Sequence, residues 1–382
     1  MSLKTPAIAP ASYIDTSAAL DAAVERLSAA ERIACDTESN SMHAYRGRTC
    51  LIQFSTPRED LLIDPLAIAD ISALAPVLAD PAIEKVFHAA EYDLICLKRD
   101  FDFDVVNVFD TMAAARVCGY QRIGLSHMLE DVLGVRHAKK HQTDDWARRP
   151  LPEGYRRYAQ MDTRHLLALR AVLYAELEAA DRLDEAREYF ADVTRFELKS
   201  DEFDPEGYWA LCRPNSLNGQ QIAILRELYI LRDELAQSVD RPPHQLITNK
   251  TLLRLVKSPP RSLKQLYEFR GLPAWLIRQS GDEFIQAVRH GQASRVDYIA
   301  PAQATIPQAV VDRYSALHNW RRDTAKTRGV ESDVIISKDA LWEIARRNPA
   351  SAAELEGIRG LGPWRRKTYG AALLATVNGR RS

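Results

Sequence analysis

The sequence predicts a multidomain α/β plus all-α protein, a mixed-sheet domain followed by two small helical domains. The chain has 382 residues, beyond the size at which one hydrophobic core keeps growing, so two or three domains are expected. Short apolar runs bounded by turn residues alternate with helical periods through the N-terminal half, the pattern of strands and helices sharing one sheet. From Pro205 onward the strand signals disappear, and a helical pattern recurs at a fixed offset.

Taken in order, Arg32–Thr37, Thr49–Ser55 and Asp60–Asp64 read as strands, each short, apolar and closed by polar or proline-bearing turns. Glu38–Arg48 is a polar stretch at the first strand's end. Residues 67–79 show helical spacing at Ile68, Ile71, Leu74, Ala75 and Leu78, stopping before Asp80-Pro81. Lys85–His88 is a strand leading into a helix from Ala90 to Arg99, and Val105–Phe109 is a further strand. Asp110 is read as the N-cap of a helix through Cys118. Tyr158 and Asp162 lie on a helix expected to continue through Leu166, Leu167, Leu169 and Leu173.

In the C-terminal half, Gln220–Ser238 is an amphipathic helix. Arg270-Gly271-Leu272, Trp275, Gly281 and Val288 align, at an offset of about 89 residues, with Arg359-Gly360-Leu361, Trp364, Gly370 and Val377. Ile247-Thr248-Asn249 matches Ile336-Ser337-Lys338, and Arg232-Asp233 matches Arg322-Asp323. The expected domains are residues 1–204 for the sheet domain, 211–294 and 306–382 for the helical repeats, and 295–305 for a linker. Trp275 and Trp364, at equivalent repeat positions, are expected in the two cores.

Composition is that of an ordinary globular protein, 46% hydrophobic and 27% charged. No apolar run reaches the ~20 residues that span a bilayer, and Met1–Pro6 lacks the continuous apolar segment of a signal peptide. Five cysteines without a closely spaced pair point to reduced thiols and a cytoplasmic protein, not to zinc or disulfides. The net charge of -1 conceals an asymmetry: roughly -8 over residues 1–200 and roughly +7 over the rest. An acidic half suits cations, and a basic half suits a polyanion such as nucleic acid.

Five residues stand out. Asp36 and Glu38 are two apart at a strand end, so both carboxylates leave the same face. Tyr158 and Asp162, four apart on a helix, also share a face. Asp93 falls in the first turn of its helix, where an acid is also favourable simply against the dipole. Four converging acids would repel one another unless cations were present. Such a set is what a metal-dependent phosphodiesterase requires.

Asp36-Thr37-Glu38, His88-x4-Asp93 and Tyr158-x3-Asp162 resemble the three motifs of the DEDD exonuclease superfamily in its tyrosine-containing branch. Their order, with Gln142-Thr143-Asp144-Asp145-Trp146 through Pro150-Leu151, resembles the bacterial ribonuclease D family, and the helical repeats resemble HRDC domains. The resemblance implies an RNase H-like sheet, two divalent ions (Mg2+ or Mn2+), and 3'-to-5' hydrolysis of RNA from a free 3' end, with transfer RNA precursors as typical substrates. No membrane association is expected of the sequence, and no obligatory protein partner is evident in it. Asp36, Glu38 and Asp162 would be direct metal ligands and Asp93 would support the second ion. Tyr158, whose phenol has an ordinary pKa of about 10, would orient the attacking water. Two other readings stay open, a single-stranded DNA exonuclease and an inactive nucleic-acid-binding protein; retention of all five residues speaks against the second.

Further residues carry weaker expectations. His88 fits a substrate contact or a hydrogen-bonded structural role. Lys139 and Lys140 are candidate phosphate contacts, and Trp146 is expected to pack its loop. In the last repeat, Arg365, Arg366 and Lys367 beside the Gly360-Leu361-Gly362 turn are candidates for binding phosphate, since such turns can present backbone N–H groups to an anion.

Overall fold

The computed structural model describes residues 9–137, 140–198, 202–212, 216–296 and 306–379. Lys139, the first eight residues and most of the expected 295–305 linker lie outside the described residues. Two compact units are present, one from Met1–Ser39, Thr49–Leu198 and Ile306–Ser382, the other from Asn40–Arg48 and Lys199–Thr305. The second helical repeat therefore does not stand alone but joins the unit that contains the sheet.

That unit runs β1 (Ser12–Ile14), α1 (Ser17–Ser28), β2 (Arg32–Ser39), β3 (Thr49–Ser55), β4 (Asp60–Ile63), α2 (Ala75–Ala79), β5 (Glu84–Phe87), α3 (Glu91–Phe101) and β6 (Val108–Asp110). Helices α4 (Thr111–Cys118), α5 (Leu125–Leu133), α6 (Glu153–Arg164), α7 (Leu166–Ala179) and α8 (Leu183–Val193) follow. The sheet order is β1-β4-β3-β2-β5-β6. Strands β2, β3 and β4 form an antiparallel meander, while β1 joins β4 and β5 and β6 extend from β2 in parallel. A mixed sheet of this kind was expected, but β1 and α1 were not. A three-residue strand is too short to show alternation.

Strand alternation divides the side chains of β2 between two layers. Ile33 and Cys35 enter a core with Leu20 and Leu27 of α1 and Leu94 and Leu97 of α3. Ala34 enters the opposite core with Leu166, Leu169 and Leu173 of α7. A fully buried side chain of this size contributes about 1.5–3 kcal/mol. By the same parity Asp36 and Glu38 face the α6–α7 layer.

Three element boundaries differ from expectation. Residues 67–79 are not one helix: Asp64 accepts from the backbone of Ala67 and Ile68, and the Asp70 carboxylate accepts from Ser72 N at 2.8 Å, local bonds that compete with helix. The strand expected at 105–109 begins only at Val108, because Asn107 takes a left-handed φ of 53°. The helix carrying Tyr158 and Asp162 stops at Arg164, and α7 starts after His165.

The other unit contains α9 (Gly219–Ser238), α10 (Pro243–Leu246), α11 (Asn249–Lys257), α12 (Leu263–Tyr267) and α13 (Ala274–Ala293). The second repeat contains α14 (Gln308–Arg328), α15 (Ser332–Ile335), α16 (Lys338–Arg347) and α17 (Pro363–Val377). The repeat noted in the sequence is structural. Thr248 and Ser337 cap α11 and α16, and Gly271 and Gly360 turn with φ of 98° and 77°. One pairing is corrected: the equivalent of Arg232 is Arg321, not Arg322. Arg232 donates to the Ile247 carbonyl and Arg321 to that of Ile336, each at 3.2 Å. Trp275 also departs from expectation, at 40% exposed, whereas Trp364 packs edge-on against Tyr369.

Candidate metal centre

The end of β2 and one face of α6 converge, and α6 is held there by named bonds. The hydroxyls of Thr163 and Ser55 on β3 are 2.7 Å apart, and Gln160 donates to Asp60 at 2.6 Å. The result is that Asp36, Glu38 and Asp162 each offer a carboxylate oxygen within 4.8 Å of the others. Burial pushes all three carboxyls above their ordinary values, and neighbouring charge adds to this, from Asp93, Asp162 and Glu38 on Asp36 and from Asp162 and Asp93 on Glu38. His137 Nε2 lies 2.7 Å from Asp162 and opposes the rise there. An all-oxygen, anionic donor set of this kind fits Mg2+ or Mn2+ rather than a softer metal.

Asp93 is placed differently. It belongs to α3, in the layer on the other side of the sheet, and Thr37, between Asp36 and Glu38, points to that side. Its Oδ1 accepts from Thr37 N at 2.9 Å and from Thr37 Oγ1 at 2.6 Å. Burial raises its carboxyl to about 7 although both Thr37 bonds lower it. Asp93 thus adjoins the three clustered carboxylates without being one of them.

The start of α3 is itself fixed by Asp110. This carboxylate caps α4 through Met112 N and Ala113 N, as expected, and also accepts from Ala89 N and Ala90 N at 3.0 and 2.9 Å. Beside it, Thr111 Oγ1 donates to the Phe87 carbonyl, so it accepts from His88 Nδ1 at 2.9 Å. Burial pushes His88 down to about 4. Of the two readings of His88, burial and the Nδ1 bond to Thr111 favour the structural one.

Tyr158 shares the site with the three acids. Burial, then the charges of Asp162, Glu38 and Asp36, push its phenol far above the ordinary value, against a hydrogen bond from Gln142. It therefore stays protonated. Trp146 is buried, with its ring centroid 5.1 Å from that of Tyr155 and 6.1 Å from that of Tyr158. The same loop is anchored by Arg149, which pairs with Asp64 at 2.6 and 2.7 Å and donates to the Cys50 carbonyl. The sequence assigned no role to Thr37, His137 or Arg149, because each acts through a partner remote in sequence. Lys140 is exposed next to His141.

For Arg365 and the Gly362 turn the expected phosphate contact is corrected. Arg365 is 2% exposed, and its Nη1 contacts Glu188 at 3.1 Å and Asp192 at 2.7 Å on α8. The N–H groups of Gly362, Trp364 and Arg365 all donate to the Glu188 carboxylate. The anion held by this turn is a protein side chain. Arg366 is half-buried, within reach of the Leu361 carbonyl, and Lys367 is exposed.

The chain is similar to known proteins along most of its length. The 3'-5' exonuclease family matches residues 11–178, and the HRDC domain matches residues 221–288 and 311–377. Ribonuclease D of Pseudomonas paraeruginosa is 30% identical over 352 residues, covering 90% of this chain and 91% of that one. The chain belongs to the ribonuclease D family. A family member with a known crystal structure, Escherichia coli RNase D, described as an exoribonuclease involved in structured RNA processing, has 26% identity and a TM-score of 0.67 over 98% of this chain and 100% of that one. The exosome complex component 10 homolog of Caenorhabditis elegans is 34% identical over 278 residues, covering 72% of this chain. This chain spans about a third of that relative's length, 32%.

Proposed function

We propose that the chain is a metal-dependent 3'-5' exoribonuclease that releases 5'-mononucleotides from RNA 3' ends. Transfer RNA precursors are its proposed substrates and two Mg2+ or Mn2+ ions its proposed cofactors. The observation that carries this reading is the approach of the Asp36, Glu38 and Asp162 carboxylates within 4.8 Å, all with raised proton affinity. Divalent ions bound there supply Lewis-acid activation of the attacking water and offset charge on the leaving oxygen.

The chain's own residues supply position. Tyr158 keeps its proton and orients the water by a hydrogen bond rather than acting as a base. Asp93, tied to Thr37, supports the second ion from beside the cluster. Lys140 and Lys367, both exposed, are proposed phosphate contacts. The protein is placed in the cytoplasm, where reducing conditions suit the buried thiols of Cys35, Cys50 and Cys96, and no obligatory protein partner is invoked.

The test uses purified protein with 3'-labelled and 5'-labelled RNA and single-stranded DNA, in Mn2+, Mg2+ or chelator, beside Asp36→Ala. Mononucleotide release from RNA is expected only with metal and only from the wild type. RNA left intact in metal would sink the proposal, and equal or faster loss of DNA would move its substrate.

A further inference from the structure

Gln53 lies at the middle of β3, wholly buried at 0% exposure, yet neither its Oε1 nor its Nε2 has a hydrogen-bond partner among the described residues. A buried amide left in this state has lost its hydration and gained no bond in return, which disfavours the fold. An apolar side chain would avoid that cost, so a glutamine here calls for a ligand that brings both a donor and an acceptor.

The strand register says where the amide sits. Gln53 pairs directly with Asp36 across the antiparallel β2–β3 ladder, with Glu38 opposite Leu51 and Ala34 opposite Ser55. Directly opposed residues project from the same face of a sheet. Two residues along that face, Ser55 meets Thr163 at 2.7 Å, and Thr163 adjoins Asp162 on α6. Gln53 is thus bracketed by Asp36 beside it and by α6 above it, on the face that carries the clustered carboxylates.

We propose that Gln53 is a positioning residue of the metal centre. Its Nε2 donates to, and its Oε1 accepts from, water held between the Asp36 carboxylate and the bound cation. Mg2+ dehydrates reluctantly and keeps several waters when bound to carboxylates. A hydrated cation therefore brings the partners that the protein itself does not provide. The amide also adds no charge, which matters where three carboxylates already repel. This inference rests on the metal-dependent reading above.

The test compares wild type, Gln53→Leu and Gln53→Glu as full chains, using Mn2+ calorimetry and thermal unfolding with and without Mn2+. Gln53→Leu should unfold in chelator at the same or a higher temperature than wild type, because an unpaired amide has been removed. Its Mn2+ affinity should fall by about 10–100-fold, the usual loss when an outer partner of a metal ligand is removed. With labelled RNA, kcat should fall while KM stays near wild type. Gln53→Glu, which keeps the shape and adds a carboxylate, should bind Mn2+ more tightly and unfold earlier in chelator at pH 8. Mn2+ affinity unchanged in either folded variant would overturn the assignment. Wild type that binds no Mn2+ would instead overturn the metal reading itself, so the two failures are distinguishable.

Discussion

Two residues to which the sequence assigned no role decide how the site is held. Thr37 separates Asp36 from Glu38 and so points to the opposite face, where its N–H and hydroxyl both hold Asp93. Thr37→Val keeps the shape and loses the hydroxyl bond; Mn2+ affinity should fall about 10-fold, read by calorimetry, with little change in the chelated melting temperature. Arg149 acts through Asp64, which is buried. Burial pushes the Asp64 carboxyl up, but bonds from Arg149 and Tyr13 outweigh it and hold the carboxyl below its ordinary value. A depressed folded value means stability that is present above the unfolded pKa of about 3.9 and lost as pH falls through the folded one. Asp64→Asn should therefore melt below wild type at pH 6, with the gap closing below about pH 4. A gap independent of pH would remove the ion pair from the explanation.

At the scale of elements, α17 and α8 replace an expected RNA contact by an internal one. Glu188 occupies the first turn of α17, and a Cβ on Gly362 would come within 2.3 Å of the Glu188 side chain. Gly362→Ala should destabilise by about 1–3 kcal/mol through overpacking. Arg365→Leu should cost about 3–5 kcal/mol, because it leaves the buried Glu188 carboxylate without its counter-charge. Both are read by thermal or urea unfolding. Lys367→Glu, on the exposed side of the same helix, should leave stability unchanged and reduce the salt dependence of RNA binding. If Arg365→Leu unfolded like wild type, the buried pair would not be what joins these helices.

Across the molecule, the charge asymmetry between the two halves has a partly internal use. Arg328 pairs with Glu185 at 2.7 and 2.8 Å and Arg116 with Asp333 at 2.8 Å, while Arg365 meets Glu188 and Asp192. Val334 of α15 also enters the core that contains Phe109 and Phe190. A chain ending at residue 305 should therefore melt several degrees below the full chain, as expected when a packed element is removed from a compact unit. An unchanged midpoint would show the second repeat to be an independent domain.

The sequence alone determined the kind of fold and which acidic side chains share a face. Period-two alternation fixed that Asp36 and Glu38 share a face, and period-3.6 spacing did the same for Tyr158 and Asp162, because both follow from local backbone geometry. Capping residues such as Asp110, and the repeated turns at Gly271 and Gly360, were legible for the same reason. What only the tertiary structure decided was every choice between partners distant along the chain. It set Asp93 on Thr37 apart from the three clustered acids, assigned Arg365 and the Gly362 turn to Glu188, and left Gln53 buried beside Asp36. A guanidinium or a helix N-terminus meets a carboxylate and a phosphate through the same charge and hydrogen bonds. Which of them it meets depends on what the fold brings within reach, and no local pattern records that.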